Sequence, residues 1–170
     1  MEDQSPLSAD ELLDIVDEQD RVIGQARRGE VYAAGLRHRC AFVLARDDED
    51  RVFVHRRTAR KLVFPSLYDM FVGAAALREA QEELGVPGLP APVPLFKFLY
   101  ETAEHSWWSS VYEVRCPSEV APQTEEVAWY AFLTEEELGR RLTEWAWVPD
   151  GFEAYRRVLD WRTAGAAGDS

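Results

Sequence analysis

Arg78-Glu79-Ala80-Gln81-Glu82-Glu83-Leu84-Gly85-Val86 predicts a short helix that carries three carboxylates and stops at a glycine. Glu79 precedes Glu82 and Glu83 by three and four positions, so the three side chains share one flank of a 3.6-residue turn. Glu79 and Glu83 form a like-charge i,i+4 pair that costs roughly 0.2–0.5 kcal/mol, and no Lys or Arg stands four residues after any of the three. Most Glu-rich helix faces are merely solvated. A divalent cation would neutralise this one, because Mg²⁺ takes carboxylate and water oxygens and is commonly shared with a phosphate-bearing substrate.

Outward from this segment, a chain of 170 residues with 46% hydrophobic content can fill one core, and we read a single domain over 11–163 between flexible ends at 1–10 and 164–170. The formal charge of −12 comes without a dense basic cluster. That balance argues against a nucleic-acid polymer or an anionic membrane as partner, since polyphosphate backbones need Lys and Arg to neutralise them. Small anionic substrates stay compatible if a metal and local arginines supply positive charge. Cys40 and Cys116 lie in or beside apolar runs without C-x-x-C spacing and read as buried free thiols. The start has no signal-peptide pattern and no apolar run spans a membrane, so the expectation is a cytoplasmic protein. The sequence leaves a homodimer open.

Leu12 to Val16 and Val22 to Ala26 flank a polar turn and predict a hairpin. A short helix or loop over Glu30 to Leu36 precedes a buried strand over Arg37 to Arg46, an acidic turn at 47–50 and a strand over Arg51 to Arg57. Leu67 to Val72 reads as a further strand, and Ala74 to Leu84 as the carboxylate helix. Strands follow at Leu95 to Thr102, Trp107 to Val114 and Val127 to Phe132. Thr134 and Glu137 form a capping-box pattern for the next helix, and Pro149 to Trp161 shows apolar residues at helical spacing. Strands around a central helix, with helices after the last strand, predict an α/β fold with a mixed sheet covered on two sides.

The order Arg-Glu-apolar-x-Glu-Glu-x-Gly-apolar resembles the second half of the Nudix box, the signature of hydrolases that cleave nucleoside diphosphates linked to another moiety. The resemblance extends over roughly Leu12 to Leu138 toward the branch related to isopentenyl diphosphate isomerase. It includes Leu13-Asp14-Ile15-Val16-Asp17, His38-Arg39-Cys40-Ala41-Phe42, Val54-His55-Arg56-Arg57, Phe64-Pro65-Ser66-Leu67-Tyr68-Asp69 and Glu125-Glu126-Val127. It implies a Nudix-like α/β/α sandwich with the signature helix against the sheet. Isomerase activity fits less well, because the segment Met70-Phe71-Val72-Gly73 lacks the family's catalytic Cys. His38, where the isomerases place a metal-ligand His, reads as a strand-end or core histidine.

The box departs from the family at its first half. The pattern sets its Gly fourteen positions before the Arg, whereas Gly73 precedes Arg78 by five, so the first Glu of the box has no counterpart and Met70 stands at the counted position. That Glu holds the signature Arg in the family, which leaves Arg78 without its usual partner.

The resemblance implies Mg²⁺ or Mn²⁺ held by Glu79, Glu82 and Glu83, with Glu79 as general base and Glu126 as the alternative base or a solvated loop carboxylate. Such ions polarise a phosphoryl oxygen and lower the pKa of water. Arg78 belongs to the catalytic set, and Arg56 and Arg57 are candidate phosphate ligands that could equally face solvent. Trp107 and Trp108 are candidates for base stacking, but neighbours on a strand point to opposite faces, so at least one should pack internally. The implied substrate is a small-molecule diphosphate. A catalytically impaired Nudix-like domain that binds a nucleotide or a protein is the alternative.

Overall fold

The computed structural model describes residues 10–61, 64–72 and 77–168, with only the backbone described at 77–79 and 166–168. The expected loose N-terminus, apart from its last residue, and the junction at Gly73 to Ala76 lie outside the described residues. A hairpin of β1 (Leu12–Val16) and β2 (Val22–Arg27) leads into α1 (Arg28–Ala34), which Gly35 ends at φ 64°. The hairpin turn is held by Asp17, whose Oδ1 accepts the backbone N–H groups of Gln19 and Arg21, both at 2.9 Å. Asp47 repeats the device between β3 (His38–Arg46) and β4 (Val52–Arg57), accepting from Glu49 and Arg51 at 3.0 and 2.9 Å. Asp and Asn favour such turns because the side chain replaces the missing backbone acceptor.

The main sheet runs β5 (Tyr68–Asp69), β4, β3, β7 (Ser106–Arg115), β6 (Val93–Glu101), with β8 (Val127–Leu133) paired to β4. β3 and β7 are parallel from His38↔Trp107 to Arg46↔Arg115 and the other pairs are antiparallel, so the sheet is mixed as expected. Pleating sends alternate residues of β3 and β4 to opposite faces. Phe42, Leu44, Val52 and Val54 join α3 (Glu135–Arg141) and α4 (Pro149–Gly168) in one apolar cluster. Val43, Ala45 and Phe53 join α2 (Leu77–Leu84) in the other. Both faces being covered explains why β3 reads as a nearly continuous apolar run.

Three expectations are corrected. The strand foreseen over 67–72 is only Tyr68–Asp69, because β3 and β4 pair at Arg46↔Val52 and then diverge, and residues 68–72 fill the gap. Asp69 and Tyr68 pair with β4, while Val72 bridges to Val43. α1 starts at Arg28, two residues before the helix or loop foreseen. α4 continues through Gly168, past the Trp161 at which the helix was expected to end, so residues 164–168 are helical and not a loose tail. Alanine is the strongest helix former, which favours this extension. The capping box on α3 is as foreseen: Thr134 Oγ1 accepts from Glu137 N at 3.1 Å and Glu137 Oε2 from Thr134 N at 3.0 Å. Among the described residues no helix is long and apolar enough to cross a membrane.

Candidate functional site

α2 lies against the sheet through Ala80 and Leu84, an i,i+4 pair that is fully buried. Burying a side chain such as Leu84 contributes roughly 1.5–3 kcal/mol. The inward pair fixes the outward flank, where Glu82 is exposed and Glu83 half-buried. Arg78 and Glu79 stand on the same helix, and their side chains lie outside the described residues. Gly85 at φ 65° ends the helix in a Schellman motif, with Val86 N donating to Gln81 O at 3.1 Å and Gly85 N to Glu82 O at 3.2 Å.

The loop before β8 closes over this helix end. Ala121 N donates to Leu84 O at 2.8 Å and Gln123 N to Glu83 O at 3.3 Å, satisfying carbonyls that a helix C-terminus leaves open. A Cβ on Gly85 would stand 1.9 Å from Ala121 O, so only glycine permits the approach. The same loop delivers Glu126 to the end of β4, where Thr58 N donates to its carbonyl at 3.2 Å. The Glu126 carboxylate is ion-paired with Lys61.

Arg56 and Arg57 diverge, as neighbours on a strand do, even though the β4–β8 pairing shifts register between them. Arg56 is exposed, with its guanidinium carbon 5.8 Å from the centre of the Tyr68 ring. Arg57 is half-buried and lowers the pKa of Asp69, Asp150 and His55. Asp69 also senses Glu83. The structure therefore brings Arg57 and Glu83 into range of a common neighbour, Asp69, and sends Arg56 to the other face.

Asp69 and Asp150 are a buried carboxyl pair that the sequence alone did not single out. β5 is clamped to the segment before α4, Tyr68 N donating to Ala146 O at 2.9 Å and Val148 N to Tyr68 O at 2.8 Å, which seats Asp69 at the first turn of α4. Burial, followed by the charge of Asp150, pushes Asp69 up to about 8. Burial alone among the leading causes pushes Asp150 up to about 6, opposed by the Gly151 N–H and by Arg57. The Trp107 indole N–H acts on Asp150 without meeting hydrogen-bond geometry. The only signal in the sequence was an Asp inside an otherwise apolar strand. His55 is buried and donates from Nε2 to Phe71 O at 2.8 Å; burial takes its pKa down to about 4, so it is neutral.

The remaining candidates pack. His38 donates from Nδ1 to Leu36 O at 3.1 Å, sits 3.6 Å from Cys40 Sγ through Nε2 and is lowered to about 4 by burial, which makes it a core histidine. Trp107 is buried and Trp108 half-buried, its Nε1 donating to Asp17 O at 3.2 Å. Cys40 and Cys116 are buried thiols, and neither is in a disulfide. Among the described residues no group of three or more His, Cys, Asp or Glu stands together as a metal site. Glu82 and Glu83 offer hard oxygen donors that suit Mg²⁺ or Mn²⁺, and Glu79 precedes them by three and four positions on the same helix.

No protein-family model matches the chain. An uncharacterized Nudix hydrolase of Streptomyces coelicolor is 64% identical over 172 aligned positions, covering 95% of this chain and 95% of that protein. The Salmonella typhi Nudix hydrolase YfcD, also uncharacterized, is 32% identical over 181 positions, covering 100% of this chain and 95% of its own. Since this chain has 170 residues, eleven of those positions are filled in the Salmonella protein and empty here. A solved Deinococcus radiodurans structure matches with a TM-score of 0.71 and 29% identity over 86% of this chain and 98% of its own.

Proposed function

Because this chain belongs to the Nudix hydrolase family, we propose that it cleaves the diphosphate linkage of nucleoside diphosphates joined to a second moiety. The observation that carries the reading is α2, with its apolar pair buried, its carboxylate flank outward and its end locked by the loop that delivers Glu126. In this reading Glu79, Glu82 and Glu83 hold Mg²⁺ or Mn²⁺, which when bound supplies a Lewis acid for a phosphoryl oxygen and a more acidic water. Glu79 takes the proton of the attacking water, with Glu126 as the alternative base. Attack at one phosphorus breaks the bridging P–O bond and leaves a phosphate on each product. Arg57 holds the non-bridging oxygens by paired N–H donors. A cytoplasmic location belongs to the same reading, since two buried thiols outside any disulfide suit a reducing compartment.

The short connection from Gly73 to Arg78 sets the rate in this reading. It lacks the Glu that would hold Arg78, and the eleven positions filled only in the Salmonella protein are in keeping with a missing segment. The test is incubation of the purified protein with Mg²⁺ or Mn²⁺ and a panel of dinucleotides, nucleotide sugars and nucleoside triphosphates, measuring phosphate products. Turnover that the double variant Glu82→Gln, Glu83→Gln loses is the expected result. Turnover no higher than that of the variant overturns the reading.

A further inference from the structure

The face of β4 and β8 opposite α2 carries an aromatic surface with two guanidinium groups. Tyr68 and Trp145 stack at 4.3 Å and 24°, and Trp129 meets both edge-on at 5.8 and 5.5 Å. Trp129 is 41% exposed, which leaves part of its indole open to a ligand. Its direct partner across β4 and β8 is Arg56, while Arg141 lies 5.1 Å from the Trp145 ring centre. Arg141 is compensated by Glu144 at 2.6 Å, but among the described residues Arg56 meets no carboxylate. In a chain of net charge −12, an uncompensated guanidinium beside an exposed indole is a local exception.

Arg56 is also held in place. Its Nε donates to Ser66 O at 3.0 Å, and Phe64 and Ser66 adopt left-handed φ values of 54° and 63° to present that carbonyl. Such backbone is strained in non-glycines and concentrates at ligand clamps. A planar π surface next to a fixed guanidinium suits a ligand that joins an aromatic ring to a phosphate. Arg57, one residue on, serves the opposite side of the strand, so a ligand reaching round the end of β4 can engage both.

We propose that Trp129, with Arg56 beside it, is the surface on which the nucleobase of the substrate stacks, so that base-bearing diphosphates are selected. The proposal rests on the nucleoside-diphosphate reading and deepens it by naming the side chains that recognise the base. Calorimetric titration of the full chain with AMP, UMP and ribose 5-phosphate tests it without turnover. Both nucleotides bind, ribose 5-phosphate binds roughly tenfold or more weakly, Trp129→Ala removes the difference and Trp129→Phe restores most of it. Arg56→Gln weakens all three ligands alike, which keeps the test decisive if Trp129→Ala fails to fold. Equal affinity for AMP and ribose 5-phosphate overturns the proposal, as does AMP binding unchanged in Trp129→Ala. A dimer that Trp129→Ala dissociates, seen by sedimentation, also overturns it, since the surface is then a subunit interface. Base-dependent binding without turnover removes the enzymatic reading and keeps the subsite; turnover without base dependence does the reverse.

Discussion

Gly151, in the first turn of α4, lies so close to Asp69 that a Cβ there would stand 2.6 Å from Asp69 Oδ1. The carboxylate cannot easily retreat, since Oδ1 also accepts from Phe71 N at 3.0 Å and the residue is buried. Gly151→Ala is expected to destabilise the fold by about 1–3 kcal/mol, as overpacking of a closed site does. A lowered urea midpoint at unchanged m checks it.

The same pair gives stability a pH dependence. Asp69 has a folded pKa of about 8 against an ordinary value of 3.8, so between those limits the folded state binds more protons than the unfolded one. Unfolding free energy therefore falls as pH rises from about 4 to about 8, with a slope of up to about 1.4 kcal/mol per pH unit from this group. Asp150, raised to about 6, steepens the lower part of that range. Asp69→Asn keeps an acceptor for Phe71 N and removes the titration. Its stability profile from pH 5 to pH 8 should be flatter than that of the parent, and parallel profiles would refute the assignment.

Two glycines near the carboxylate helix separate strain from contact. Gly85 and Gly88 both have positive φ, but only Gly85 faces a backbone atom, Ala121 O, where a Cβ would be. Gly88→Ala should cost about 1–2 kcal/mol from the left-handed backbone alone. Gly85→Ala should cost clearly more and free the loop over α2, read as faster amide exchange at Ala121 and Gln123.

Arg46 is buried at 2% exposure and pairs with Glu113 at 3.2 Å and Glu135 at 2.9 Å, while Arg162 reaches the same two carboxylates from the half-exposed rim. Arg46→Ala empties a buried site while Glu113 and Glu135 keep Arg162 as partner, so lost packing is expected to cost about 2–5 kcal/mol. Arg162→Ala should cost no more than about 1 kcal/mol, with a salt-sensitive difference from the parent. Thermal unfolding at low and high ionic strength distinguishes them.

Lengthening the connection between Gly73 and Arg78 by nine residues that include a Glu eight positions before the Arg should raise kcat at least about tenfold, equivalent to about 1.4 kcal/mol. Metal chelation should abolish turnover in both forms. An insertion without effect on kcat would show that the short connection does not limit the reaction.

The elements were largely legible because their causes are local. The Asp turns at 17 and 47, the Thr134 capping box and the Gly85 stop each follow from a residue's own backbone preferences. The alternation of Phe42, Val43, Leu44 and Ala45 between two clusters shows why β3 read as buried on both faces. The broken strand at 68–72 was not legible, since it depends on β3 and β4 parting company, which no single segment encodes. The extra helix of 164–168 was hidden by small residues that resemble a tail.

By itself the sequence determined the carboxylate helix, its glycine stop and the family. These depend on spacing along one chain, where helical geometry and backbone preference act over a few residues. Only the tertiary structure decided that Arg56 and Arg57 serve opposite faces, that His38 is core, and that Asp69 and Asp150 form a buried pair sensed by Arg57. Burial and electrostatics depend on what distant segments bring together. Asp69 and Asp150 come from strand and helix far apart in the chain, and their shifted acidity exists only where β5 is clamped against the start of α4.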